Sequence, residues 1–230
     1  MNIREKAISL VERKITKSGF VVEARAWAGN SFFEIDLHLP EATIENNNGV
    51  YHIKCRVAPF TFRDYTIAAW NATSKTCTLF IDAAHNGHGS AWAKALKKGD
   101  AISYMCIESH RYYIDRELRH VFLGDQSAVG HFMALQNLAG DTDCIEGAAI
   151  IDNMAHRNEL AYYYPNLHLQ ALPSEHSGER VLLLWLQKQL VTTNDVVYLA
   201  GNAQLVIELR RQLKANGHSG KNIKVQGFWK

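Results

Sequence analysis

The hydrophobic period of this chain changes from two to an alternation of strands and helices near residue 115, and that change constrains the fold more than any single motif. From Gly19 to about residue 107, apolar residues recur at every second position. "FVVEARAWA", "SFFEIDLHL", "VYHIKCRVA", "DYTIAAW", "TCTLFIDA" and "DAISYMCI" all alternate as half-buried strands do. "ENNNG", "NATSK" and "KKGD" separate several of them as turns. "GSAWAKALKK" interrupts with a short helix, begun by a Gly and a Ser that can cap it. Six strands with one helix predict a small antiparallel barrel. Ahead of them, Ile3, Ala7, Leu10, Val11 and Ile15 stand at helical spacing, which predicts a helix over 3–15.

Past residue 115, strands and helices alternate. "RHVFLG", "GAAIID", "LHLQAL", "DVVYLAG" and "NIKVQGFW" read as strands. "QSAVGHFMALQNLA", "GERVLLLWLQKQLV" and "AQLVIELRRQLKANG" read as helices between them. This alternation predicts a parallel sheet with crossovers. "VVYLAG" is apolar on both faces, as a central parallel strand is. The expected architecture is β + α/β: an antiparallel barrel domain over 1–110, then a parallel-sheet α/β domain over 116–230. "ESHRYYIDREL", residues 108–118, is the expected hinge. Ligands of open α/β sheets lie beyond the carboxyl ends of the strands. A barrel docked there would close a cleft for two ligands.

Composition narrows the function classes. With 47% hydrophobic and 21% charged residues the chain can build a packed core. A net charge of +2 is too mild to argue for nucleic acid. Cys55, Cys77, Cys106 and Cys144 include no CxxC pair, so neither an iron–sulfur nor a zinc site is expected. "EIDLH" (34–38) and "DNMAH" (152–156) mix carboxylates with His. They read as strand alternation and as a loop after a strand, and no metal site is expected. "RVLLLWLQKQLV" is too short to cross a bilayer, and "MNIREKAISLVERK" is charged throughout, unlike a secretory signal. The expected setting is the cytoplasm, with reduced thiols and no membrane insertion. No GxSxG elbow, Walker loop or HExxH occurs.

Four stretches can carry a ligand. In "RDYTIAAWN" (63–71), strand alternation puts Arg63 and Tyr65 on one face and Thr66 on the other. A guanidinium, a flat ring and a hydroxyl suit a ligand with a phosphate, a flat ring and a polar ring edge, such as a dinucleotide flavin. The same stretch also fits an ordinary strand with a solvated Arg63 and a packed Tyr65. In "HNGHGSAWA" (85–93), free amides at a helix start favour an anion, and Ser90 can donate a further bond. The stretch lies one hairpin after Arg63, so the two can converge on one diphosphate. A plain capped helix is the alternative.

"VFLGDQSAVG" (121–130) runs a strand into Gly124 and Asp125, where a mononucleotide-binding turn belongs. It lacks GxGxxG, and a routine turn with an Asp cap also fits. In "YLAGNAQLVIELRR" (198–211), Gly201, Asn202 and Ala203 would let a nucleotide approach closely, whereas Arg210 and Arg211 read as a solvated face. The closing "VQGFWK" puts Phe228 and Trp229 at a terminus, where large aromatics need an anchor: either the core or a flat ligand face.

In this order and spacing, the motifs resemble those of the siderophore-interacting proteins, flavin-dependent ferric-siderophore reductases of the ferredoxin-NADP reductase-like superfamily. "RDYTI", "HNGHGSAWA", "GDQSA", "VVYLAGNAQLVIELRRQL" and "VQGFWK" carry the resemblance. It implies FAD as cofactor and NADH or NADPH as donor. Arg63 would contact the FAD diphosphate, Tyr65 would pack on the isoalloxazine, and Thr66 would sit near its reducible edge. Tyr65 and Thr66 are thus the implied catalytic pair. Gly89, Ser90, Ala91 and Trp92 would form the phosphate loop, with Asp82 and His85 completing the cofactor site. Phe228 or Trp229 would cover the flavin. Gly124, Asp125, Ser127 and Ala128 would begin the nucleotide-side turn, and Gly201, Asn202 and Ala203 would line its other side.

The implied acceptor is a ferric siderophore. Such chelates are often anionic, and Lys54, Arg56, Arg111, Arg116 and Lys230 are candidate contacts. The chain departs from the family pattern at Gln126, Ser127 and Asn202, at "SHRYYID", and in ending at Lys230 where relatives often continue. These departures touch the donor and acceptor sides. Two alternatives therefore stand beside the reductase: a flavoprotein reduced by a ferredoxin-type partner, and a non-catalytic flavin-binding module.

Overall fold

The computed structural model describes residues 15–44, 49–112, 114–140, 144–174 and 177–229. The expected helix over 3–15 lies outside them but for Ile15, and Lys230 lies outside them too. The chain divides into two compact units, Met1–Tyr112 and Tyr113–Lys230.

The first unit is a closed barrel of six antiparallel strands, as the period-two pattern predicts. These are β1 (Lys17–Ala26), β2 (Phe32–His38), β3 (Gly49–Ala58), β4 (Thr61–Asn71), β5 (Thr76–Asp82) and β6 (Ala101–Arg111). Their order around the barrel is β1-β2-β5-β4-β3-β6. Closure comes from β1, which pairs with β2 along one edge and with β6 along the other. Alternate residues fill the interior: Ile35, Leu37, Ile53, Cys55, Ile67, Leu79, Ile81 and Tyr104 are among its buried core. Each fully buried Leu or Ile side chain contributes about 1.5–3 kcal/mol. Helix α1 (His88–Ala95) follows β5. The expected hinge begins later than residue 108, because β6 continues to Arg111 and pairs Glu108 with His52 and His110 with Val50.

The second unit is a five-stranded parallel sheet in the order β11-β10-β7-β8-β9. Its strands are β7 (His120–Asp125), β8 (Ile145–Ile150), β9 (Leu169–Leu172), β10 (Val196–Asn202) and β11 (Ile223–Trp229). Helices α2 (Val129–Ala139), α3 (Met154–Tyr163), α4 (Gly178–Lys188) and α5 (Ala203–Ala215) connect them. The two central strands β7 and β10 are buried on both faces, which explains their unbroken apolar runs. On one face Val121, Leu123, Val197 and Leu199 pack with Leu182, Leu186, Val206 and Leu209.

Helix α3 corrects the sequence reading, which took "DNMAH" as a loop. Asn153 accepts from the Ala155 amide (2.9 Å) and starts a helix that includes His156. The apolar period hid it: the buried positions are His156 and Leu160, whereas Met154, Tyr162 and Tyr163 are exposed.

Sheet and helix meet closely at Gly147. A Cβ there would lie 2.8 Å from the Phe122 carbonyl oxygen and 2.9 Å from the Phe132 ring. Backbone and a buried ring cannot yield cheaply. We therefore expect Gly147→Ala to destabilise the second unit by about 1–3 kcal/mol, read as a lower urea midpoint with an unchanged slope.

Candidate functional site

In the barrel, two stretches that are distant in sequence meet. The phenol oxygen of Tyr65 lies 2.7 Å, and Arg63 Cγ 3.7 Å, from where a Cβ on Gly89 would be. The loop entering α1 thus reaches Tyr65 only because residue 89 has no side chain. Tyr65 stacks on Trp92 of the same helix, with ring centroids 5.6 Å apart and planes 16° apart. Burial pushes the Tyr65 phenol pKa well up, so it is a neutral donor. Ser90 is 4% exposed.

Among the described residues neither the Tyr65 hydroxyl nor the Ser90 hydroxyl has a hydrogen-bond partner. Each such group costs about 1–3 kcal/mol if left unpaired. Trp70 Nε1 and Tyr104 Oη share that condition elsewhere in the barrel. What sets Tyr65 and Ser90 apart is that one borders Gly89 and the other follows it in the first turn of a helix, where free amides and the helix dipole favour an anion. Ser90 does not cap α1 as the sequence suggested. Gly87 holds the N-cap position in an extended conformation without a side-chain bond, and Ser90 turns inward one residue into the first turn past Gly89.

The remaining residues of this set are placed as follows. Arg63 is exposed, donates Nη1 to the Phe62 carbonyl (2.8 Å), and pairs with no described carboxylate. Asp82 Oδ1 accepts from the Ala84 amide (3.0 Å), so it shapes the turn after β5, and half-buried His85 follows in that turn. The Ala91 amide donates to the Gly87 carbonyl (2.9 Å).

Thr66 stands opposite His52 on β3. His52 is a neighbour that the sequence did not mark, since a His on a strand reads as routine alternation. It is 7% exposed and pairs in register with Glu108 on its other side. Its ring lies 4.9 Å from that of His110. Burial first, then His110, lowers its pKa from 6.5 to about 4, against the opposing pull of Asp64 and Glu108.

In the second unit three stretches singled out in the sequence lie at the carboxyl ends of β7, β10 and β11. Asp125 Oδ1 accepts from the Ser127 amide (2.9 Å) and the Ser127 hydroxyl (2.5 Å). Its Oδ2 accepts from the Asn202 amide (2.7 Å). Gly201, at φ +118°, lets the carboxylate come within 2.6 Å of the position a Cβ would take. Asn202 Oδ1 in turn accepts from the Gln204 and Leu205 amides (3.0 and 3.1 Å) and caps α5. Ala203 lies beneath Gly227 of β11. Gly124 and Ala128 are buried against each other and the Ala200 carbonyl.

Trp229 is anchored there as well, with Nε1 donating to the Ser127 hydroxyl (3.2 Å), while Phe228 packs edge-on against buried His131. Strand alternation sends the two aromatics to opposite faces.

The described basic candidates are placed as follows. Lys54 is ion-paired with Asp64 at 3.1 Å. Arg56 lies across from Phe62, Arg111 ends β6, and Arg116 reaches toward Gly140. Among the described residues no cluster of three or more His, Cys, Asp or Glu could hold a metal, and no helix is long and apolar enough to cross a membrane.

A closed six-stranded antiparallel barrel followed by a doubly wound parallel sheet is the fold of ferredoxin reductase-like proteins. Residues 118–230 match the model of the siderophore-interacting protein family. A siderophore-interacting protein from Acinetobacter baumannii is similar over 93% of this chain and 90% of its own, at 16% identity and a TM-score of 0.71. A siderophore utilization protein from T. fusca is similar over 94% of this chain and 92% of its own, at 18% identity and a TM-score of 0.71. The ferredoxin reductase in carbazole 1,9a-dioxygenase, in its FAD apo form, covers 94% of this chain with 67% of its own, at 14% identity and a TM-score of 0.74. No curated protein matches the chain.

The His52 environment gives a pH prediction for the barrel. The unfolded chain protonates His52 near pH 6.5 and the folded chain only near 4. Stability contributed above pH 6.5 is therefore lost as the pH falls toward 4, by roughly 3 kcal/mol in all. Urea unfolding at pH 7 and pH 4 should show this loss in the wild type and a smaller one in His52→Gln. An equal loss in both would contradict the assignment.

Proposed function

We propose that this chain is an FAD-dependent reductase that passes electrons from a reduced nicotinamide nucleotide to a ferric siderophore in the cytoplasm. One observation carries the reading: the buried, unsatisfied hydroxyls of Tyr65, which borders Gly89, and of Ser90, the next residue of α1, near the exposed Arg63. These groups fit a flavin with a phosphate-bearing tail. The Arg63 guanidinium would hold the phosphate, and the first-turn amides of α1 would share its charge. Ser90 and Tyr65 would regain the hydrogen bonds that burial denies them. Thr66, on the opposite face of β4, would present its hydroxyl at the ring edge, with neutral His52 across from it.

When bound, the flavin supplies the conversion from one hydride to two single electrons, which reduce two ferric centres and release one proton. Fe(II) suits hard oxygen ligands less well than Fe(III), so a reduced chelate loosens. No nucleophile from the protein is needed, in keeping with the lack of any hydrolytic motif in the sequence. The family match of residues 118–230 supports the siderophore as acceptor. Among the described residues no disulfide joins the four cysteines, which suits a reducing compartment.

Two measurements test the reading. Arg63→Ala should weaken FAD retention about 10- to 100-fold, the loss of a charged hydrogen bond, with the circular dichroism unchanged. Undiminished flavin occupancy in that variant would refute the phosphate assignment. Anaerobic mixing with NADH should bleach the flavin, and a ferric hydroxamate or catecholate should restore its colour. A flavin that no nicotinamide bleaches would point to a ferredoxin-type donor, and one that Fe(III) never reoxidises would contradict a ferric reductase.

A further inference from the structure

The carboxyl ends of β7 and β10 mark the topological switch point of the sheet, since the chain winds outward on both sides of them. Ligands of doubly wound sheets bind in that crevice. A dinucleotide ordinarily places its pyrophosphate on the free amides at a helix start there. In this chain the corresponding amides are already spent. The Ser127 and Asn202 amides donate to the Asp125 carboxylate. The Gln204 and Leu205 amides, in the first turn of α5, donate to Asn202 Oδ1. A carboxylate thus stands where a pyrophosphate would be held.

A pyrophosphate brought to that carboxylate would be repelled by it, like charge against like. A nicotinamide ring meets no such penalty. It carries no negative charge, and its oxidised form is cationic. Beside the turn, Trp229 is tethered to Ser127 and 36% exposed, offering a flat face to a ring.

We infer that Asp125 is a specificity-determining residue that admits the nicotinamide–ribose end of the donor and rejects its pyrophosphate. The inference rests on the reductase reading for its donor but concerns a separate unit. The donor is recognised without its ADP half, so NADH and NADPH are used alike, and a donor lacking phosphate is used at least as well.

The test compares NADH, NADPH and reduced nicotinamide riboside with the flavin-loaded protein, alongside calorimetric titration with ADP-ribose. The expected result is a kcat/KM for the riboside within about threefold of NADH or above it, and no ADP-ribose binding below about millimolar. Added salt should raise kcat/KM for NADH by screening repulsion and leave the riboside unaffected. Asp125→Asn, checked for folding by its melting temperature, should lower KM for NADPH more than for the riboside.

A preference for NADH or NADPH over the riboside beyond about tenfold, or micromolar binding of ADP-ribose, would overturn the proposal. If Asp125→Asn fails to fold, the wild-type salt dependence and the ADP-ribose titration still decide. Flavin content, measured first, separates the two readings. A protein that takes up no flavin contradicts the reductase, whereas the ADP-ribose titration of that same protein still tests the crevice.

Discussion

A hydroxyl sealed from water without a partner is a standing cost, and the barrel carries two of them where Gly89 lets α1 close over β4. At about 1–3 kcal/mol each, they offset a noticeable part of a stability that is only about 5–15 kcal/mol for a typical domain. A fold tolerates such a cost where something else recovers it. Swapping Ser90 for Ala would remove its share at no loss of packing volume to the core. The hydroxyl makes physical sense when a ligand completes its hydrogen bonds. Arg63, exposed and free of described carboxylates, supplies the charge that such a ligand would need.

The second unit follows the opposite logic. Its polar groups at the strand ends are satisfied by one another. One carboxylate joins residues 125, 127 and 202, and one amide side chain caps the helix that follows. The Asp125–Asn202 contact fastens two neighbouring central strands at the mouth of the crevice. Polar capacity is thus left unspent in the barrel, whereas at the switch point Asp125 and Asn202 take up the Ser127, Asn202, Gln204 and Leu205 amides. That asymmetry is why a phosphate is assigned to the first unit and denied to the second.

The sequence made the architecture legible because period-two alternation and doubly buried runs are local signals. β7 and β10 announce themselves as central strands by having no polar face. Helix α3 escaped because its buried face is just His156 and Leu160, with tyrosines outside. Ser90 looked like a cap because Ser commonly is one; its burial within the first turn of α1 is set by packing that no local pattern records. The convergence of Arg63 with the loop at Gly89 was visible as hairpin spacing, and the structure brings them together. His52 and the Asp125–Asn202 bond were not visible. Both depend on which strands lie side by side, which no local pattern records.

Flavin uptake by the unmodified protein tests the central claim most directly. Protein incubated with FAD and freed of excess by gel filtration should retain stoichiometric flavin, with an absorption band resolved from that of free FAD and Trp92 fluorescence quenched through its stack with Tyr65. A colourless protein after the same treatment, folded by circular dichroism, would mean that the two buried hydroxyls serve no flavin.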